Sequence, residues 1–247
     1  GIIFTNPNTY GVSPKVDLLV ALARNYDKIV LVDEAHGAHL PFHEDLPISG
    51  LEAGADIVVS GAHKTLPAMT QTSLLHLKGD KVKGEDIARA LTILETTSPS
   101  YILMASLDMA RKVAATIGRE LLDQTIKTAY EIQLKLSDIF GVKCLTEKET
   151  LSKGFRHDPT KLVISFDDIG ISGFEAAEIL RNKYCIEVEF SDIVNTIAVL
   201  TMMDIKDDIL GLGVALSEIA KTRNPVEKNN IKMQYKTASV LADLSCV

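Results

Sequence analysis

Short apolar runs alternate with amphipathic stretches through the first third of the chain. Ile2–Thr5 (IIFT), Lys28–Val32 (KIVLV), Asp56–Ser60 (DIVVS) and Ser73–Leu77 (SLLHL) read as strands. The middle two are rich in β-branched residues, as expected of strands covered on both faces. Between the first two, Val16, Leu19, Val20 and Ala23 recur at helical spacing. Ser13-Pro14 before them predicts an N-cap followed by proline in the first helical position. Strand and helix in alternation predict an open α/β sheet. In such sheets the chemistry gathers just past the carboxyl ends of strands. Asp33 and the segment Ser60–Lys64 fall there.

From Glu85 to Phe140 the period becomes helical. Thr96-Thr97-Ser98-Pro99-Ser100 interrupts it, Tyr101–Ile117 resumes it, and Arg119–Phe140 forms a long amphipathic stretch that Gly141 ends. A smaller α+β unit follows. Its predicted strands are Lys161–Phe166, Ile186–Phe190 and Thr196–Thr201; its predicted helices are Ser172–Lys183 and Asp204–Lys221. The expected division is a large domain over 1–150, a small α+β domain over 151–222 and a polar linker over 223–247.

Composition narrows the function classes. The chain has 247 residues, is 46% hydrophobic, and carries a formal net charge of −7. That length supports a large core, and the acid excess argues against nucleic acid or an anionic membrane as partner. No apolar run is long enough for a membrane helix. Three scattered cysteines, Cys144, Cys185 and Cys246, suit a reducing, cytoplasmic setting better than a disulfide framework.

Two polar clusters follow apolar strands: Asp33-Glu34-Ala35-His36-Gly37-Ala38-His39 and Ser60-Gly61-Ala62-His63-Lys64-Thr65. The first contains the letters DEAH, which also mark a helicase-type ATPase. No glycine-rich GK[ST] loop accompanies them, and the net charge is wrong for a nucleic-acid motor. Asp33, Glu34, His36, His39 and His43 are metal-ligand types, but their spacing matches no zinc signature, and no metal is expected. Pyridoxal phosphate is a third reading. It needs a lysine for a Schiff base and a carboxylate against its ring nitrogen. Lys64 and Asp33, after successive strands, supply both types. His39, His43 and His76 read as structural histidines.

The segments VLVDEAHGAHLPFHEDLP, GADIVVSGAHKTLPAMTQTSLLH and TTSPSYILMASLDMAR resemble the bacterial Orn/Lys/Arg decarboxylases. TNPNTYGV, DPTKLVISF and CIEVEFSD extend the resemblance over roughly residues 2–220. It implies the aspartate-aminotransferase fold (fold type I) and pyridoxal 5′-phosphate as cofactor. It implies decarboxylation of arginine, lysine or ornithine to the corresponding amine. Lys64 would form the Schiff base, and Asp33 would pair with the pyridinium nitrogen. Ala35 would pack on the ring face, with His36 beside the ring. His63 would contact the phosphate or the reacting centre. Thr97, Ser98 and Ser100 would reach the cofactor of a neighbouring subunit, so a homodimer or higher homo-oligomer is expected. Tyr10 would line the same cleft. Glu187, Glu189 and Asp192 are candidates for the substrate's distal amine.

One position departs from the family. It commonly carries a phosphate-binding serine where this chain has Gly61. Ser60 or the Gly61 backbone N–H would have to substitute. The chain also opens without Met on an apolar strand and reads as an internal piece, missing an upstream part of the cofactor domain and a C-terminal region. On that reading the apolar neighbours of Ile2–Thr5 are left partly exposed, and the piece alone is inactive. An aminotransferase or aldolase of the same fold remains the enzymatic alternative.

Overall fold

A computed structural model describes residues 1–222; the expected linker over 223–247 lies outside the described residues. In chain order the elements begin β1 (Ile2–Thr5), β2 (Val12–Ser13), α1 (Val16–Asn25), β3 (Val30–Glu34), α2 (Gly50–Ala53), β4 (Ile57–Ser60), α3 (Ala62–Thr65), β5 (Leu74–Leu77), α4 (Gly84–Leu94) and α5 (Tyr101–Ser137). They continue with β6 (Lys143–Cys144), α6 (Glu147–Leu151), β7 (Arg156–His157), β8 (Lys161–Ser165), α7 (Gly173–Tyr184), β9 (Phe190–Ser191), β10 (Asn195–Val199) and α8 (Lys206–Lys221).

The first sheet has the order β1-β3-β4-β5. β1, β3 and β4 run parallel, and β5 runs antiparallel to β4, so the sheet is mixed. Val30, Val32 and Val58 bury one face of it against Val16, Val20 and Ala23 of α1. β1 is an edge strand among the described residues: Ile3 is 75% exposed, and Ile2 and Phe4 are half-buried.

The second sheet has the order β6-β8-β10-β9 and is antiparallel throughout. Its first strand, β6, precedes residue 151. Leu162, Ile164, Ala198 and Leu200 pack on Leu180 of α7 and on Leu212, Leu216 and Ile219 of α8. The short pair β2–β7 ties the first unit to the second, with Val12 opposite His157.

The single 37-residue helix α5 serves both units. The two helical stretches expected around Gly118 are one element. Ala110, Ala114, Leu122 and Ile126 belong to a core built with Ala38, Leu40 and Leu46 from the segment after β3 and Ala62 and Leu66 from the segment after β4. Ala129, Ile132 and Leu136 belong to the core of the second. Gly118 continues the same buried stripe.

Local signals gave way to tertiary contacts in two places. Ser13 does not cap α1: its hydroxyl donates to Asn6 Oδ1, and Lys15 takes the N-cap. Of the strand expected over Ile186–Phe190, only Phe190 lies in β9. Ile186 and Val188 instead pack against the second core, and the Ile186 N–H donates back to Leu180 O at 3.0 Å. Ser172 does cap α7, accepting from Glu175 N at 3.2 Å.

A Cβ at Gly118 would meet Ala114 Cβ at 3.6 Å and Met202 Cε at 3.8 Å, both ordinary contacts. Glycine costs a helix interior about 1 kcal/mol relative to alanine. Gly118→Ala is therefore expected to raise stability by about 0.5–1 kcal/mol in urea denaturation. A destabilised variant would show that α5 is strained at this point.

Candidate active site

Parallel pairing sets the site. β3 and β4 are neighbours, with Asp33 opposite Val59 and Glu34 opposite Ser60. The turns that follow both strands therefore emerge side by side at one sheet edge. Asp33 is exposed on the last turn-ward residues of β3, and its Oδ1 accepts from Ala35 N at 2.9 Å. Lys64 sits in the single turn of α3, half-buried, and its Nζ donates to His36 Nε2 at 3.1 Å. His36, Asp33, Ala35 and Lys64 are thus brought together.

Burial lowers the His36 pKa to about 4, reinforced by the cations Lys161 and Lys64 and opposed by Asp33 and Asp158. The ring is neutral at ordinary pH and can accept from the lysine at Nε2. His63 faces outward. Its Nδ1 bonds the Thr72 carbonyl at 2.9 Å, which assigns the proton to Nδ1 and leaves Nε2 as an acceptor. Ser60 is buried at the end of β4. A Cβ at Gly61 would meet the Ala35 carbonyl at 2.6 Å. The backbone that carries the lysine packs against the backbone that carries the aspartate, and only glycine fits between them.

Glu34, next to Asp33, is turned the other way and is only 1% exposed. It accepts from Asn6 Nδ2 at 2.9 Å and from the Gly50 N–H. Asn6 in turn donates to Ile48 O at 3.0 Å and accepts from Ser13 Oγ. This network fixes the loop after β1 to the turn after β3. Burial pushes the Glu34 carboxyl up to about 7, against those two hydrogen bonds.

The other expected site residues bond to partners outside this cluster or are exposed. Tyr10 OH donates to Asp192 Oδ2 at 2.8 Å, and its ring stands edge-on to Phe190 at 6.4 Å. Burial, then the Asp192 contact, raises its pKa to about 12. Tyr10 and Asp192 together close the first loop onto the second sheet. Glu187 is paired with Arg181, whose Nε donates at 2.7 Å. Thr97, Ser98 and Ser100 are exposed between α4 and α5. Ser100 Oγ accepts from Leu103 N at 3.4 Å as the cap of α5.

The histidines of the first cluster disperse. His39 Nε2 lies 3.0 Å from Asp158 Oδ2, both buried, and His43 approaches Asp123 at 3.7 Å. Among the described residues no group of three or more His, Cys, Asp and Glu is arranged to hold a metal ion. No helix among them is long and apolar enough to cross a membrane.

A family model for the Orn/Lys/Arg decarboxylase major domain matches residues 1–208. The chain belongs to the Orn/Lys/Arg decarboxylase family. An arginine decarboxylase of Bacillus cereus is 40% identical over 246 residues, which are 98% of this chain and 53% of the relative. The chain spans about half the length of the curated relatives it matches. Among solved structures, the constitutive lysine decarboxylase of E. coli aligns with a TM-score of 0.72 at 21% identity, covering 89% of this chain and 36% of that one. An alanine–glyoxylate aminotransferase from Nostoc sp. aligns with a TM-score of 0.67 at 20% identity, covering 88% and 60%. These likenesses establish the fold-type I architecture that the decarboxylase family shares with the aminotransferase.

The burial of two groups, Glu34 and Lys161, carried no signal in the sequence. Glu34 reads as half of a DE pair, and its burial depends on Asn6 and Gly50. Lys161 opens a predicted strand, where a lysine ordinarily reaches solvent; here it is 0% exposed.

The buried carboxyl of Glu34 has a pH consequence. Between about 4.5 and 7 the folded chain holds a proton that the unfolded chain releases, so this group costs stability as pH rises through that window. Glu34→Gln keeps an acceptor and removes the titration. The variant is expected to match the parent near pH 4.5 and to gain about 2–3 kcal/mol relative to it by pH 7.5. Urea midpoints across that range are the measurement; a stability difference that stays flat with pH rejects the assignment.

Proposed function

We propose that this chain carries the lysine-bearing half of a pyridoxal 5′-phosphate site, and that the protein decarboxylates a basic amino acid, arginine first. The observation that carries the reading is the placement of the Lys64 amine and the Asp33 carboxylate on adjacent turns of one sheet edge, with Lys64 Nζ held at 3.1 Å from His36. Family membership supports the reaction class, and the arginine decarboxylase relatives favour arginine over lysine and ornithine.

The residues present fit that cofactor. Lys64 would bind its aldehyde carbon, and Asp33 would face its ring nitrogen. Ala35 offers a small face, and the Gly61 N–H or Ser60 would serve the phosphate. When bound, the cofactor supplies a conjugated electron sink for the electron pair left by departing CO₂. Asp33 would pair with the ring nitrogen and favour the electron-accepting form. His36, neutral through burial, orients the Lys64 amine through Nε2 without adding charge beside it. His63, exposed one residue before Lys64 and bonded through Nδ1 to the Thr72 carbonyl, would be the group that exchanges a proton with solvent. Thr97, Ser98 and Ser100, all exposed, would contribute to a second copy's site in a homo-oligomer.

The test is cofactor binding and CO₂ release in the full-length protein. A visible absorbance band on adding cofactor, absent in Lys64→Ala, is expected, with CO₂ released from arginine and agmatine formed. Asp33→Asn is expected to keep the band and lose about 10²–10³-fold in kcat. Amino-group transfer without CO₂ release would assign the site to an aminotransferase instead. A full-length protein that takes up no cofactor, or a Lys64→Ala variant that keeps the band, overturns the proposal.

A further inference from the structure

Lys161 is the first residue of β8, and the strand's alternation decides where it points. Leu162, Ile164 and Phe166 enter the core shared with α7 and α8. Lys161 and Val163 therefore turn to the opposite face, toward the first unit. The Lys161 stem lies against the loop after β1: a Cβ at Gly11, whose φ is +77°, would meet Lys161 Cβ at 2.7 Å and Cγ at 2.9 Å. Gly11 follows Tyr10, which closes that loop onto Asp192. Lys161 thus lies at the seam between the two units, beside the contacts that join His39 to Asp158 and Thr160.

The Lys161 side chain is fully buried, and its Nζ has no hydrogen-bond partner. Asp158, three residues earlier, attracts it but is committed elsewhere. Asp158 Oδ2 is bonded to His39 at 3.0 Å, and Oδ1 accepts from Thr160 N at 3.0 Å and Thr160 Oγ1 at 2.7 Å. Glu189 attracts Lys161 from the strand side, and Lys64 repels it. The charge of Lys161 is felt at His36. Burial pushes the ammonium below the ordinary lysine range. An unpartnered buried amine costs stability, and a packed apolar residue in its place would cost nothing of the kind. A fully buried cation without a hydrogen-bond partner, whose charge bears on His36 beside Lys64 and whose neighbour Asp158 is already bonded to His39 and Thr160, can receive an anionic oxygen from a ligand.

We propose that Lys161 is the anchor for the α-carboxylate of the bound amino acid. This rests on the reading of the site as an amino acid decarboxylase centre and adds a residue from the second sheet to it. The ion pair fixes the end of the substrate that is to leave, while Lys64 and Asp33 serve the other end of the reacting bond. A decarboxylated product lacks the partner for Lys161 and is held less tightly, which favours its release. The cofactor's phosphate is the other anion that could reach such a group, and the experiment separates the two.

Lys161→Met and Lys161→Gln in the full-length protein make the test. The KM for arginine is expected to rise about ten- to hundredfold, as for loss of a charged hydrogen bond. The Ki for agmatine, which has no carboxylate, is expected to stay within about twofold. Cofactor affinity, read by absorbance titration, is expected to stay unchanged, and Lys161→Met is expected to unfold at an equal or higher temperature. Weakened cofactor affinity with an unchanged preference for arginine over agmatine would assign Lys161 to the phosphate and overturn the proposal. Collapse of the fold in both variants would assign it a structural role and overturn it too. Parent protein that decarboxylates arginine, with variants of unchanged KM, rejects the anchor alone. Parent protein that releases no CO₂ from any basic amino acid rejects the site reading beneath it.

Discussion

The register of β3 on β4 is the constraint on which the site depends. Pairing Asp33 with Val59 and Glu34 with Ser60 brings two turns into backbone contact, so close that only Gly61 fits beside the Ala35 carbonyl. A slip of one residue would exchange the faces of every side chain on the strand. Asp33 would then enter the core and Glu34 would leave it. The apolar residues of β3 prevent this, because Val30 and Val32 fill the space above α1. The face from which the Asp33 carboxylate leaves the sheet is therefore set by valines whose side chains point to the opposite face.

A second set of contacts holds the two units in one relation. His39, from the turn after β3, reaches Asp158 and Thr160 just before β8. The Asp158 N–H donates to Gly11 O at 2.8 Å, and β2 pairs with β7. All of these join the first forty residues to a segment more than a hundred residues later. Fully buried hydrogen bonds of this kind lose most when a single partner is removed. They give the seam between the sheets a defined geometry, and Lys161 is set within it.

The main lines of the fold were legible because they rest on local pattern. β-branched runs gave β3 and β4, and polar residues directly after them marked Asp33 and Lys64. Ser172 and Ser100 were readable as a helix cap and a helix-breaking segment, and the structure places both at helix N-caps. What escaped depended on distant partners. Ser13 was drawn from its capping role by Asn6, and Ile186 and Val188 were drawn from a strand by the second core. The burial of Lys161 has no local trace, since a lysine that opens a strand reads the same whether solvent or another sheet lies beyond it.

The helix α5 links these observations in another way. Its N-terminal half is a wall of one core and its C-terminal half a wall of the other, with no break between them. Neither unit can melt without stripping apolar cover from the helix that its neighbour needs. The free energies of the two units are therefore not separable quantities. A packing defect in one of these two cores is therefore transmitted along α5 to the other.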